Sequence, residues 1–308
     1  MSRVAAVDCG TNSLRLLVTD LTGGAQHDLH REMRVVRLGE GVDRTGSLAP
    51  QAIERTRVAL TDYADTCREL GVECTRMVAT SASRDADNRE DFRVMVLEVL
   101  GVEPEVISGD EEAALSFAGA TRSLDRSDGP FLVMDIGGGS TELVLGSETV
   151  TASVSVDVGC VRLTERHLHG DPPTADEVAA AVGDIDAGID QITAAVPVGD
   201  ARTTVGLAGS VTTVAALSLG LSSYDRDRIH LSRLTAEQID KVTTDVLGMT
   251  RSERGDLPVM HPGRIDVIGA GALILRTLVE RLDLPDVLVS EADILDGIAW
   301  SILETDHA

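Results

Sequence analysis

Apolar residues run through this chain in short blocks, and the spacing of those blocks changes along it. Residues 3–8, 13–20 and about 25–37 carry strand-like runs, with Gly23 and Gly24 at the second turn. From about Pro50 to Leu70 the spacing becomes helical, with Ile53, Val58, Leu60, Ala64 and Leu70 on one face. Residues 76–80 then predict a short buried strand, 87–100 a helix, and 105–107 a strand. Asp110 begins another helix, with Ser108 or Gly109 near its cap. A second strand triplet follows at 130–135, 140–147 and 150–157. Beyond it, helices are expected near 160–168 and 174–194, then a strand at 203–208 leading through Gly209 and Ser210 into a helix. Helices over 235–247 and 263–282, a strand at 287–290 and a closing helix at 294–303 complete the pattern. Strand triplets followed by alternating helices and strands predict an α/β architecture with mixed sheets.

The two triplets open on nearly the same text. Residues 4–18 read VAAVDCGTNSLRLLV and residues 131–145 read FLVMDIGGGSTELVL. Laid together, Asp8 matches Asp135, Gly10 matches Gly137, Ser13 matches Ser140, and Arg15 stands opposite Glu142. One Asp-x-Gly turn is ordinary hairpin chemistry. Two copies with matching strands on both sides point to a duplicated element. Glycines there allow close backbone approach, and consecutive N–H groups in such a turn form an anion nest. The serine hydroxyl adds a donor, whereas an ionised Asp only accepts and suits a metal ion or water. The expectation is two related domains that face each other across a phosphate.

Composition narrows the partners. The 308 residues suffice for two domains with cores of their own, and the formal charge of −24 argues against nucleic acid and anionic membranes. The same charge repels phosphate, so local positive charge or Mg²⁺ must support binding. Lys241 is the only lysine, and arginine suits phosphate through its planar fork. Cys9, Cys67, Cys74 and Cys160 form no C-x-x-C pair, and His167 and His169 lack a third ligand nearby. Reduced thiols, no structural zinc and a cytoplasmic location are expected. No apolar run is long enough to cross a bilayer, and no secretory signal precedes Asp8.

Three further stretches carry candidate chemistry. Ser108-Gly109-Asp110-Glu111-Glu112-Ala113 opens a helix just ahead of the second turn. Its acids serve the helix dipole, or one of them is a general base for water. Glu112 is the choice for the base, and Glu111 for the structural role. Ala79-Thr80-Ser81-Ala82-Ser83-Arg84 follows a strand end, where ligands of α/β sheets gather. Arg84 there either grips phosphates or pairs with Asp85 or Asp87. Gly206-Leu207-Ala208-Gly209-Ser210 is a strand–glycine–helix junction, readable as an anion site or as tight packing.

Together these pieces resemble the exopolyphosphatase / guanosine pentaphosphate phosphohydrolase family. DCGTNSLRL, ATSASRDADN, ISGDEEA, DIGGGSTEL, GLAGSVTT, RIDVIGAGALIL and VSEADILDGI occur in family order across the chain. The resemblance implies two ribonuclease-H-like (actin-like) domains with a cleft between them. Their expected extents are 1–122 with the closing helix at about 294–308, and 123–293. It makes Glu112 the catalytic base, with Asp135 catalytic beside it. Gly10, Thr11, Asn12, Ser13, Arg84, Gly137, Gly138, Gly139, Ser140, Gly209 and Ser210 would line the phosphates. Asp135, Glu142 and Asp8 would hold Mg²⁺ or Mn²⁺. The chain resembles the short, two-domain type. Leu295 stands where the family commonly has arginine, and Glu291 replaces an Asp.

The reaction so implied is release of terminal orthophosphate from inorganic polyphosphate, with short chains favoured. Guanosine pentaphosphate hydrolysis in the same site is the alternative. A sugar- or acetate-type kinase of the same superfold, or a non-catalytic polyphosphate or nucleotide sensor, are the rivals from other classes. A homodimer is left open.

Overall fold

The computed structural model describes residues 2–305. These divide into two compact units: the chain up to Gly119 together with the segment from Asp293 onward, and Ala120–Ala292.

The first unit begins with β1 (Ser2–Cys9), β2 (Ser13–Thr22), β3 (Ala25–Val35), α1 (Val42–Thr45) and α2 (Pro50–Leu70). It continues with β4 (Cys74–Ala79), α3 (Ser81–Asp85), α4 (Arg89–Leu100), β5 (Glu105–Val106) and α5 (Gly109–Thr121). The sheet runs β3-β2-β1-β4-β5, with β1, β2 and β3 successively antiparallel and β1, β4 and β5 parallel. That order is the ribonuclease-H-like one. Pro50 starts α2, and Gly71, at positive φ, ends it. The buried face of α2 is Ala52, Thr56, Ala59, Leu60, Tyr63 and Cys67. Val58, expected on that face, is half exposed, because it lies most of a half-turn away from Thr56 and Leu60.

The second unit repeats the plan with β6 (Phe131–Ile136), β7 (Thr141–Gly146), β8 (Val150–Val156), α6 (Cys160–His167), α7 (Ala175–Ala195), β9 (Thr203–Leu207) and α8 (Ala208–Ser218). It adds α9 (Arg226–Ile229), β10 (Arg233–Thr235), α10 (Ala236–Gly248), α11 (Arg251–Gly255), α12 (Ile268–Arg281) and β11 (Asp286–Val289). The order β8-β7-β6-β9-β11 matches the first sheet strand for strand, and β10 extends its edge. The sequence pattern missed β10, which has three residues and one buried side chain. It also placed the start of α12 too early. Residues 262–264 form a separate turn in which His261 accepts from the Gly263 N–H at 3.1 Å.

The chain then returns to the first unit as α13 (Ile294–Thr305). Side chains of β1 alternate between two cores, as a buried strand requires. Ala5, Val7 and Cys9 pack with residues of α2 and α4, while Val4 and Ala6 pack with Ile294, Leu295 and Ile298. Leu295, the departure from the family pattern, is thus a core residue. Two glycines let α13 and α5 touch. A Cβ at Gly119 would lie 1.8 Å from the Asp293 carbonyl oxygen, and one at Gly297 would lie 2.0 Å from that of Leu115. Among the described residues no helix is long and apolar enough to cross a membrane.

Candidate active site

Both duplicated turns are built the same way. In the first, Gly10 N–H closes on the Ser13 carbonyl at 3.0 Å. The Thr11 carbonyl then accepts from Gly39 N–H at 2.8 Å, and the Asn12 carbonyl from Val36 and Arg37 N–H at 3.1 and 2.8 Å. In the second, Gly137 N–H closes on the Ser140 carbonyl at 3.0 Å. The start of α6 takes the next carbonyls: Cys160 N–H bonds Gly137 O at 3.0 Å, and Val161 and Arg162 N–H bond Gly138 O at 2.8 and 3.2 Å. Arg162 Nε bonds the Gly139 carbonyl at 2.8 Å. In a trans peptide the carbonyl and the following N–H point opposite ways. Tying down the carbonyls therefore turns the N–H groups of Asn12 and Ser13, and of Gly138, Gly139 and Ser140, outward. Such a row of N–H groups in each unit is able to receive an anion.

Sequence reasoning found the turns but not their braces. Gly39 and Gly159 are close-approach glycines. A Cβ at Gly39 would meet Thr11 Cγ2 at 2.4 Å, and one at Gly159 would meet Gly138 O at the same distance. Nothing local marks Gly159 beyond a glycine just ahead of an amphipathic helix. Thr11 differs from its expected use, because its hydroxyl is bonded to the Ser81 hydroxyl at 2.8 Å inside the first unit.

The parallel strands β1, β4 and β5 end together, which brings the first turn, α3 and the start of α5 to one sheet edge. Glu112, on the inward side of α5, is 9% exposed. Its Oε2 accepts from Arg84 Nη1 at 3.2 Å, and the same nitrogen bonds the Ile107 carbonyl at 3.0 Å. Arg84, expected on phosphate or on Asp85 or Asp87, thus holds the glutamate. Glu111 points outward and pairs with Arg76 at 2.9 Å, while its N–H receives a cap from Ser108 Oγ at 3.2 Å. The two neighbouring acids have separate environments, one buried and one solvated.

The three acids expected on the metal differ in how they are held. Asp8 is 3% exposed, and its Oδ2 accepts from Arg15 Nε and Nη2 at 2.9 and 2.7 Å. Arg15 in turn bonds Asp293. Burial pushes the Asp8 carboxyl upward, and the Arg15 charge opposes that. Asp8 Oδ1 is buried without a hydrogen-bond partner among the described residues. In the second unit Asp135 stands directly opposite Glu142 on the antiparallel β6 and β7, and both are buried. Glu142 Oε1 accepts from Ser155 Oγ at 2.6 Å. The first copy therefore carries an arginine where the second carries a carboxylate. Directly opposed carboxylates favour a cation, and oxygen donors suit a hard one. The orphaned Asp8 oxygen fits the same chemistry. Among the described residues no three His, Cys, Asp or Glu side chains make a metal site by themselves.

The 206–213 junction is occupied from within its own unit. Arg264 Nη1 bonds the Gly209 carbonyl at 2.9 Å and Thr213 Oγ1 at 3.0 Å, and a Cβ at Gly209 would lie 2.1 Å from that guanidinium. Ser210, expected on phosphate, instead packs inward. A Cβ at Gly271 would fall 2.2 Å from its hydroxyl and 3.5 Å from Cys160 Cβ. α8 is buried on every side from Ser210 to Ala216, so its enclosure rather than its phase decides this.

Over residues 17–306 the chain matches the Ppx/GppA phosphatase family. The chain belongs to that family. Exopolyphosphatase 2 of Mycobacterium tuberculosis is 52% identical to it over 98% of this chain and 99% of its own length. The guanosine-5'-triphosphate,3'-diphosphate pyrophosphatase of Pseudoalteromonas atlantica is 30% identical over 97% of this chain, which spans 58% of that longer protein. The crystal structure of an exopolyphosphatase-like protein superposes with a TM-score of 0.96 at 41% identity, covering 100% of this chain and 99% of that one.

Proposed function

We propose that the protein is an exopolyphosphatase, a hydrolase that removes terminal orthophosphate from inorganic polyphosphate. The observation that carries the reading is the pair of turns in which the carbonyls of Thr11 and Asn12, and of Gly137, Gly138 and Gly139, are tied down, leaving rows of N–H donors for phosphate. The full-length likeness to an exopolyphosphatase, at 52% identity, favours polyphosphate over other phosphoanhydrides.

In this reading the outward N–H groups of Asn12 and Ser13 in the first unit, and of Gly138, Gly139 and Ser140 in the second, bind substrate phosphate oxygens, preorganised for charge that develops there. Glu112 accepts a proton from the attacking water and orients it in line with the leaving oxygen. Arg84 holds Glu112 in one rotamer through the 3.2 Å bond to its Oε2. The leaving group is the shortened polyphosphate. Asp135 and Glu142 of the second unit would hold Mg²⁺ or Mn²⁺, which supplies neutralisation of the phosphate charge in a protein of net charge −24, and Asp8 is the corresponding candidate ligand of the first unit. Arg15 supplies part of that neutralisation for Asp8 within the first unit itself.

Guanosine pentaphosphate is the second reading. The 30% identical pyrophosphatase favours it, since the same phosphate turns would serve. Phosphate release is measured with tripolyphosphate, long-chain polyphosphate, guanosine pentaphosphate and ATP, with and without Mg²⁺. Highest kcat/KM on a polyphosphate supports the proposal. Sugar-dependent ADP formation from ATP, without polyphosphate hydrolysis, overturns it.

A further inference from the structure

The second phosphate turn has one carbonyl that no backbone N–H holds in place. Gly137 O and Gly138 O accept from α6 backbone N–H groups, but Gly139 O accepts from the Arg162 side chain. Gly139 is the last of three consecutive glycines, the residue type with most backbone freedom to lose. The first turn has one glycine, and the carbonyl that matches Gly139 O, on Asn12, accepts from the backbone N–H groups of Val36 and Arg37. The second turn is thus the one that needs an added restraint. Arg162 is suited to give it. Its side chain is 13% exposed, its own N–H bonds Gly138 O, and its charge lies 3.7 Å from Asp157.

We propose that Arg162 is the positioning residue of the second phosphate turn. Its Nε–H fixes the Gly139–Ser140 peptide plane and so aims the Ser140 N–H outward. The role is exerted through the backbone, by a hydrogen bond and not by the arginine charge. It rests on the proposed use of this turn for phosphate.

Three variants separate the bond from the charge. Arg162→Gln places an N–H donor the same number of bonds from Cα as Arg Nε, without charge. Arg162→Lys keeps the charge but carries its donor one bond further out. Arg162→Met has neither. Each is labelled with ¹⁵N-glycine to follow the Gly138 and Gly139 amides, and assayed for KM and kcat on tripolyphosphate, with melting to check folding. Met should shift both glycine signals, speed their exchange and raise KM about tenfold, with a smaller loss in kcat. Gln should recover most of both effects, and Lys little. Recovery by Lys and not by Gln would mean that the charge acts on substrate directly, and would overturn the proposal. Unchanged glycine signals in Met would do the same. If Met fails to fold, the Gln–Lys contrast still decides. Should wild type not hydrolyse polyphosphate while the glycine signals follow the expected order, the substrate reading fails and the positioning role stands.

Discussion

Gly159→Ala places one methyl group where the second turn is braced. The residue has φ −141° and ψ 158°, extended backbone that alanine adopts freely, so the dihedral angles do not object. The contact does. The new Cβ would lie 2.4 Å from Gly138 O and Gly139 C, and 2.5 Å from Gly138 C, all backbone atoms with no rotamer to yield. Restoring ordinary contact requires α6 and the turn to separate by about 1 Å, given carbon contact distances of roughly 3.5 Å. Overpacking of this kind costs about 1–3 kcal/mol. The separation also strains the bonds from Cys160, Val161 and Arg162 to the turn carbonyls, each worth about 1 kcal/mol. A loss of about 3 kcal/mol follows, or roughly 6–12 °C in Tm for a unit of this size. Gly183→Ala is the matched control. It lies within α7 with no atom within 4 Å of a new Cβ, and should stabilise by about 0.5–1 kcal/mol. Calorimetry and tripolyphosphate kinetics on both variants check this, with KM rising in Gly159→Ala and unchanged in Gly183→Ala. A Gly159→Ala protein with wild-type Tm and KM would refute the idea that α6 braces the turn.

The acids of α5 should separate cleanly. Glu112→Gln should lower kcat by about two to four decades with little change in KM, as loss of a general base does, while Glu111→Gln loses only an exposed pair with Arg76. The reverse ranking would move the base to Glu111. Arg84→Ala should reduce kcat as well as affinity, because its Nη1 holds Glu112; a pure KM effect would return Arg84 to the phosphate. Removal of divalent metal with EDTA should abolish turnover, and Glu142→Gln should weaken Mg²⁺ binding in titration calorimetry. Full activity in metal-free buffer would exclude the metal role of Asp135 and Glu142. Burial pushes the Cys67 thiol up to about 11 from 9.0, so the unfolded chain ionises first as pH rises. Stability should therefore fall between about pH 9 and 11, by at most about 3 kcal/mol from this group. Cys67→Ala should flatten that stretch of the urea-unfolding profile, and an identical slope would remove the assignment.

The local text was enough for the elements that depend on local chemistry. Alternating and continuous apolar runs located β1, β2, β6 and β7, because period-two burial on a sheet face leaves a direct mark. The duplicated Asp-x-Gly-x-x-Ser turn was legible for the same reason: glycine and hydroxyl positions in a tight turn act within four residues. The choice of Glu112 over Glu111 rests on the resemblance of ISGDEEA to the family motif, and only the structure shows Glu112 buried and Glu111 exposed. What the spacing did not carry was everything set by a distant partner. The carbonyls of the first turn are held by residues 36–39, and those of the second by residues 160–162, and neither contact leaves a periodic signature. Arg84 reaching Glu112, Ser210 turning toward Gly271, and Asp293 returning to Arg15 each join segments far apart in the chain. Thus the amino-acid sequence by itself determined which backbone could bend into such a turn, since glycine freedom and side-chain donors are local properties. Only tertiary packing decided which way the N–H groups of that turn point, because a peptide plane rotates until a partner elsewhere in the chain holds its carbonyl.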